Sequence, residues 1–197
     1  MSDNEQKFDF DQGTEITVFD QVKRELDIQR DPMEFKVPLS DKKNFRFHKN
    51  LGGGALYDVG FYPISIMFTL FNSKKIKLLR SKIIRQNRLD LMGNINAQNE
   101  NNVIFDLDWG FRSSYKNSLI VYGTEGSLLV DFIFSKDVIQ DGKIIIYRKK
   151  KSKVIKVSKS NQINLAFKDM LSNKSKLFNE RYQTSLSILN IIERLEK

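Results

Sequence analysis

From Lys75 onward the sequence is a succession of strand-length segments punctuated by turn signals, and this constrains the fold more than any other feature. Segments 76–85, 87–97, 102–109, 118–122, 126–132, 143–148 and 153–157 are rich in β-branched and aromatic residues. Phe105, Leu107 and Trp109 alternate with Asp106 and Asp108, the pattern of a strand with one buried face. Gly123-Thr124-Glu125-Gly126 and Gln140-Asp141-Gly142 read as tight turns. Strands joined by such short turns pair antiparallel, so a meander is expected.

Helical periodicity brackets that meander. Residues 55–71 place Leu56, Val59, Ile64, Met67, Leu70 and Phe71 on one wide apolar face. Asp58, Tyr62, Ser65 and Thr69 form a polar stripe on the same segment, and Pro63 is expected to bend the helix or confine its regular part. After the strands, Asn161 is a candidate cap for a helix to about residue 172. A second helix over 177–195 would bury Leu186, Leu189, Ile192 and Leu195. The expected fold class is α+β, an open, mostly antiparallel β-sheet with helices packed on one face. Residues 33–37 read as a short strand ahead of these, and 14–26 is ambiguous between helix and strand. Apolar residues on both sheet faces near Ile120 and Leu128 point to a partner subunit.

Length and composition bound the function. The 197 residues suffice for one domain with a real core. We divide them into a polar leader, 1–30, and a domain over 31–197. There is no apolar run long enough to span a membrane and no signal-peptide pattern. With no cysteine, disulfides and thiolate chemistry are out of reach, and a cytoplasmic protein is the simplest reading. The lone His48 cannot build a metal site. The net charge of +9 includes the basic run Arg148–Lys159. Such a run could bind nucleic acid or a phosphorylated small molecule; we favour a solvated hairpin whose lysines guard a sheet edge.

The chemistry-bearing stretch is Gly52-Gly53-Gly54 followed by Asp58, Gly60, Tyr62 and Pro63-Ile64. Consecutive glycines are costly in backbone entropy, and they suit a tight turn or the close approach of another backbone or a ligand. One helical turn separates Asp58 from Tyr62, so a carboxylate and a phenol would share a face at a glycine-lined entrance. An aspartate favoured by the helix dipole and a half-buried tyrosine would read the same way without any site.

This stretch resembles the C-terminal domain of the glucose–fructose oxidoreductase / inositol dehydrogenase / rhizopine catabolism (Gfo/Idh/MocA) family. Phe35-Lys36-Val37-Pro38 and Phe45-Arg46-Phe47 are similar to the family's strand and its lead-in. Residues 115–127 and Phe134-Ser135 resemble sugar-nucleotide ketoreductase-like members. The resemblance implies an open sheet through which homo-oligomers form, and a sugar or sugar-nucleotide substrate. It implies that Asp58 orients substrate hydroxyls or assists proton transfer. Tyr62 would exchange a proton with the ketone or alcohol, and Arg46 with Gly53 and Gly54 would contact substrate. NAD or NADP is implied for a complete enzyme. These residues contain neither the family's Gly-rich phosphate turn nor its Glu-Lys-Pro segment. The chain alone is therefore expected to bind no cofactor and to be inactive without a Rossmann domain, supplied by a separate chain if need be. The competing expectations are a non-catalytic interaction protein that keeps the fold, and, less favoured, a nucleic-acid-binding protein.

Overall fold

The computed structural model describes residues 26–135, 138–139, 141–149, 151–171 and 175–197. The calls on residues 1–25 lie outside the described residues. Eight strands form one open sheet in the order β2-β3-β4-β1-β5-β6-β7-β8. They are β1 Ile28–Val37, β2 Ile76–Gln86, β3 Leu89–Asn99, β4 Ile104–Phe111, β5 Lys116–Gly123, β6 Gly126–Asp131, β7 Gly142–Arg148 and β8 Lys151–Val157. Helix α1 (Phe61–Thr69) follows β1, while α2 (Gln162–Leu171) and α3 (Ser175–Glu196) close the chain. The class is α+β as expected.

The single meander is corrected. β1 lies between β4 and β5, parallel to the first and antiparallel to the second. The sheet is thus two meanders, β2-β3-β4 and β5 to β8, joined through β1, the first strand among the described residues. β1 also starts at Ile28 rather than Met33, taking in residues 28–30 of the segment assigned to the leader. Gln29, Arg30, Asp31 and Pro32 mask its apolar pattern, and Pro32 cannot donate a ladder hydrogen bond. The turn between β2 and β3 falls at Asn87 and Arg88. Both have positive φ (52° and 64°), the backbone of a two-residue hairpin turn, so β3 begins two residues later than its pattern suggested.

The core fills the face on which α1 packs. Phe105, Leu107 and Trp109 of β4 are fully buried, as their alternation predicts. They meet Met33, Ile95, Leu119 and Leu128 from the sheet and Leu56, Ile64 and Met67 from the helical segment. Each such side chain contributes about 1.5–3 kcal/mol on burial. α2 begins after Asn161, whose side-chain oxygen accepts from the Asn164 N–H at 3.1 Å, the expected cap. α3 packs on α1, but it buries Ile188, Ile191, Ile192 and Leu195. Leu186 and Leu189 are 37% and 45% exposed. The buried face is rotated from the expected one, with Ile188 and Ile191 buried in place of the two leucines.

The connection into β2 carries its own electrostatic clamp. The Glu100 carboxylate accepts from the backbone N–H groups of Lys74 (2.8 Å) and Lys75 (3.1 Å). Burial pushes its pKa up, but backbone N–H groups of Lys74, Glu100 itself and Lys75 outweigh it, and the net shift is below the ordinary 4.5. A depressed folded-state pKa contributes stability above the unfolded value, and that contribution is lost as pH falls through the folded value. Glu100→Gln is therefore expected to flatten the acid limb of the stability curve below pH 4.5. Urea melts at stepped pH check this; an unchanged slope would refute the clamp.

Candidate active site

The site is built where β1 gives way to α1. Two turns of 3-10 helix, Phe45–Phe47 and Lys49–Leu51, lead into the glycine triplet. Asn44 caps the first, its side-chain oxygen accepting from the Arg46 N–H at 3.1 Å. The triplet then folds back on this turn. The Gly53 N–H donates to the His48 carbonyl and the Gly54 N–H to the Arg46 carbonyl, both at 3.0 Å. A Cβ on Gly53 would lie 2.6 Å from the Arg46 carbonyl oxygen, so only glycine permits the approach. Gly54 has φ +133° and abuts the Asp90 carboxylate, which accepts from the Leu56 N–H at 2.5 Å.

The helix over 55–71 exists, but it opens with a π-helical turn, Leu56–Gly60, before α1 proper. Pro63 sits in the first turn of α1, where a missing N–H costs little. It thus confines the regular helix rather than kinking its middle. Asp58 lies in the π-turn, a wider ring that is frequently found at functional sites.

Arg46 and Asp58 come together. The guanidinium Nε donates to the Asp58 carboxylate at 2.6 Å, and both side chains remain partly exposed, at 35% and 28%. The same guanidinium stacks over the Phe45 ring, 4.8 Å from its centroid. Tyr62 stands apart from that pair. Its ring meets Phe35 edge-on at 5.2 Å and lies 6.2 Å from Phe134, which itself stacks on Phe35 at 5.1 Å. Tyr62 is 41% exposed, and among the described residues its hydroxyl has no hydrogen-bond partner. The remaining stripe residues turn inward to the helix: the Ser65 hydroxyl donates to the Phe61 carbonyl and that of Thr69 to the Ser65 carbonyl.

Sequence reasoning missed four contributors. Asn44 and Asp90 hold the turn, Phe134 supports Tyr62, and Trp109 lies beneath Gly60. Asn44 was the most legible, because an asparagine two residues before Arg46 is a turn cap by type. Asp90 and Trp109 reach the site from strands β3 and β4 and Phe134 from the segment after β6, all far along the chain from the turn.

The glycine turn does not fit a dinucleotide phosphate. Its Gly53 and Gly54 N–H groups are bonded to backbone carbonyls, and the space beside the two residues is lined by carbonyl and carboxylate oxygens. Such a lining repels a pyrophosphate, whose usual cradle is free N–H groups at a helix start. Among the described residues no group of three or more His, Asp or Glu side chains is placed to hold a metal, and no helix is long and apolar enough to cross a membrane.

The described residues thus form an open, mostly antiparallel sheet, with a strapped glycine turn leading through a π-turn into a helix on its covered face. The family model for the GFO/IDH/MocA C-terminal domain matches residues 27–129, and the chain belongs to that family. Curated relatives include a dTDP-3,4-didehydro-2,6-dideoxy-alpha-D-glucose 3-reductase from Saccharopolyspora spinosa, 28% identical over 116 residues, 58% of this chain and 35% of the relative. Another of the same name, from Streptomyces antibioticus, is 24% identical over 116 residues, again 58% of this chain and 35% of the relative. Among solved structures, a 3-ketoreductase from Actinomadura kijaniata in complex with NADP and TDP-benzene superposes with TM-score 0.75 at 20% identity. It covers 85% of this chain and 55% of that one. An aldose-aldose oxidoreductase from Caulobacter crescentus, complexed with glycerol, gives TM-score 0.72 at 14% identity, covering 92% and 57%. The chain spans about a third of the length of these curated relatives (35%).

Proposed function

We propose that this domain is the substrate-binding and oligomerisation half of an NADP-dependent reductase acting on a keto group of a sugar nucleotide. The observation that carries the reading is the Arg46–Asp58 pair and the half-exposed Tyr62 on one helical entrance. The relatives' names, sugar-nucleotide 3-reductases, and the NADP in the A. kijaniata complex support this choice of substrate class and cofactor. In this reading Tyr62 exchanges a proton with the substrate oxygen, its ring held by Phe35 and Phe134. Asp58 accepts hydrogen bonds from sugar hydroxyls while Arg46 holds that carboxylate in place and offers its remaining N–H groups to the substrate. Gly53 and Gly54 serve through shape, letting the Arg46 turn sit against the helix start.

A dinucleotide-binding domain, on the same polypeptide or on another, supplies the cofactor site. The test is to join or mix the 197-residue chain with a dinucleotide-binding domain of a related ketoreductase and follow NADPH oxidation with a dTDP-keto sugar. Turnover only in the presence of both parts is expected; no turnover with any such domain would sink the reading in favour of a non-catalytic interaction protein. Steeply salt-sensitive binding of nucleic acid instead would favour the third reading.

Self-association through the open sheet face belongs to the same proposal. Ile120, Leu129, Ile145 and Val154 are register partners across β5 to β8, an apolar row on the face opposite the core. Next to it, Lys36 bonds Glu34 and Asp108, both at 2.9 Å. Ile145→Lys is expected to shift an oligomer to monomers in sedimentation velocity; a monomeric parent protein would refute this part.

A further inference from the structure

The ring of Tyr62 meets two other rings, and the two are not anchored alike. Phe35 lies in β1, where ladders to β4 and β5 fix its backbone. Phe134 lies beyond the end of β6, whose last pair with β5 is Asp131 with Ser118. Its segment turns sharply: Phe132 has φ +59°, a left-handed conformation that a bulky side chain rarely adopts. Such a backbone persists only where its surroundings over-determine it.

Asn117, on β5 and only 4% exposed, holds this segment. Its backbone carbonyl accepts from the Phe132 N–H at 2.7 Å. Its side-chain oxygen accepts from the Phe134 N–H at 3.0 Å, and its side-chain nitrogen donates to the Ser135 carbonyl at 2.8 Å. The same nitrogen lies 3.2 Å from the Ser135 hydroxyl and 3.1 Å from that of Tyr115. Where the β5–β6 ladder stops, a side chain continues it with a donor and an acceptor. A primary amide supplies both; a carboxylate supplies only acceptors and an alkyl group neither. Asn117 is also the register partner of Phe35. It shares its side of β5 with Leu119 and Val121, both fully buried. The network therefore stands on the covered face of the sheet, not on the face proposed for self-association.

We propose that Asn117 is a positioning residue for Tyr62. It fixes residues 132–135, which set the Phe134 ring against Phe35 at 5.1 Å. The two rings together fix the angle at which the Tyr62 phenol leaves its helix. The inference rests on the proton exchange proposed for Tyr62 and adds the residue that orients it. A phenol free to swing spends less time in the productive geometry, so the loss falls on the chemical step.

Two measurements test this. In the full chain, NMR follows the selectively labelled Tyr62 ring, assigned by its absence in Tyr62→Phe. Contact with two rings displaces its signals from those of free tyrosine. Asn117→Ala is expected to move them toward the free values while urea melts stay cooperative. Phe134→Leu leaves the Asn117 hydrogen bonds in place and is expected to do the same, which keeps the test open if Asn117→Ala does not fold. Tyr62 signals unmoved in the folded variants would overturn the proposal.

In the chain combined with a dinucleotide-binding domain, Asn117→Ala is expected to lower kcat roughly 10- to 100-fold with KM unchanged. In a Tyr62→Phe background it is expected to cause no further loss, because a residue acting through the phenol has nothing left to orient. A full further loss there would assign Asn117 to stability alone and overturn the proposal. If Tyr62→Phe itself leaves the parent rate, the proton-exchange reading fails, and the ring signals still decide whether Asn117 orients the tyrosine.

Discussion

Tyr62→Phe is expected to lower ketone reduction by about 10²–10⁴-fold in the chain combined with a dinucleotide-binding domain, the usual scale for losing a positioned proton donor. The substitution removes one oxygen and keeps the ring. The edge-on contact with Phe35 and the neighbouring Phe134 survive it, and the hydroxyl has no hydrogen-bond partner among the described residues whose loss would cost stability. Thermal stability should therefore be unchanged, within a few tenths of a kcal/mol. A rate effect without a stability effect separates a chemical role from a packing one. If turnover persists at the parent rate, the proton path runs elsewhere and Asp58 becomes the candidate.

A large stability effect is expected at Gly93→Ala, and a larger one at Trp109→Ala. Trp109 is fully buried and lies across two glycines, Gly60 of the π-turn and Gly93 of β3. A Cβ on Gly93 would come within 2.1 Å of the indole, and one on Gly60 within 2.8 Å. The indole cannot withdraw, because its own strand is held by β1 and β3 on either side. Overpacking of this kind costs about 1–3 kcal/mol, and removing the indole by Trp109→Ala about 3–5 kcal/mol. Urea melts measure both. The pairing matters for function because Trp109 is the floor on which the Asp58 turn rests. Gly60→Ala should thus reduce turnover as well as stability, whereas a substitution tolerated without cost would show that the turn can shift freely.

Much of the local structure was readable before folding was considered. The hairpins, the Asn161 cap and the buried side of β4 follow from alternation, turn residues and side-chain hydrogen bonding, each acting over a few positions. Asp58 and Tyr62 were readable as neighbours on one helical segment, though the π-turn changes their relative phase. Asp90 was not readable as part of the site, since it looks like any strand-start aspartate until Gly54 and the Leu56 N–H arrive beside it. The buried face of α3 was misjudged for a similar reason. Its isoleucines and leucines offer more than one apolar stripe, and only tertiary packing selects Ile188 and Ile191 over Leu186 and Leu189.

By itself, then, the sequence determined the secondary elements, the α+β class and the presence of a glycine turn ahead of an aspartate and a tyrosine. Those outcomes depend on periodicity and backbone preference, which act within a few residues. Tertiary structure alone decided that β1 would enter the sheet between β4 and β5, bringing Phe35 under Tyr62. It also decided that Arg46 would turn onto Asp58 and that Trp109 would fill the space left by Gly60 and Gly93. Strand order and such contacts join segments far apart along the chain. They are selected by which arrangement buries the most apolar surface while pairing the backbone, a choice made only when all the segments meet.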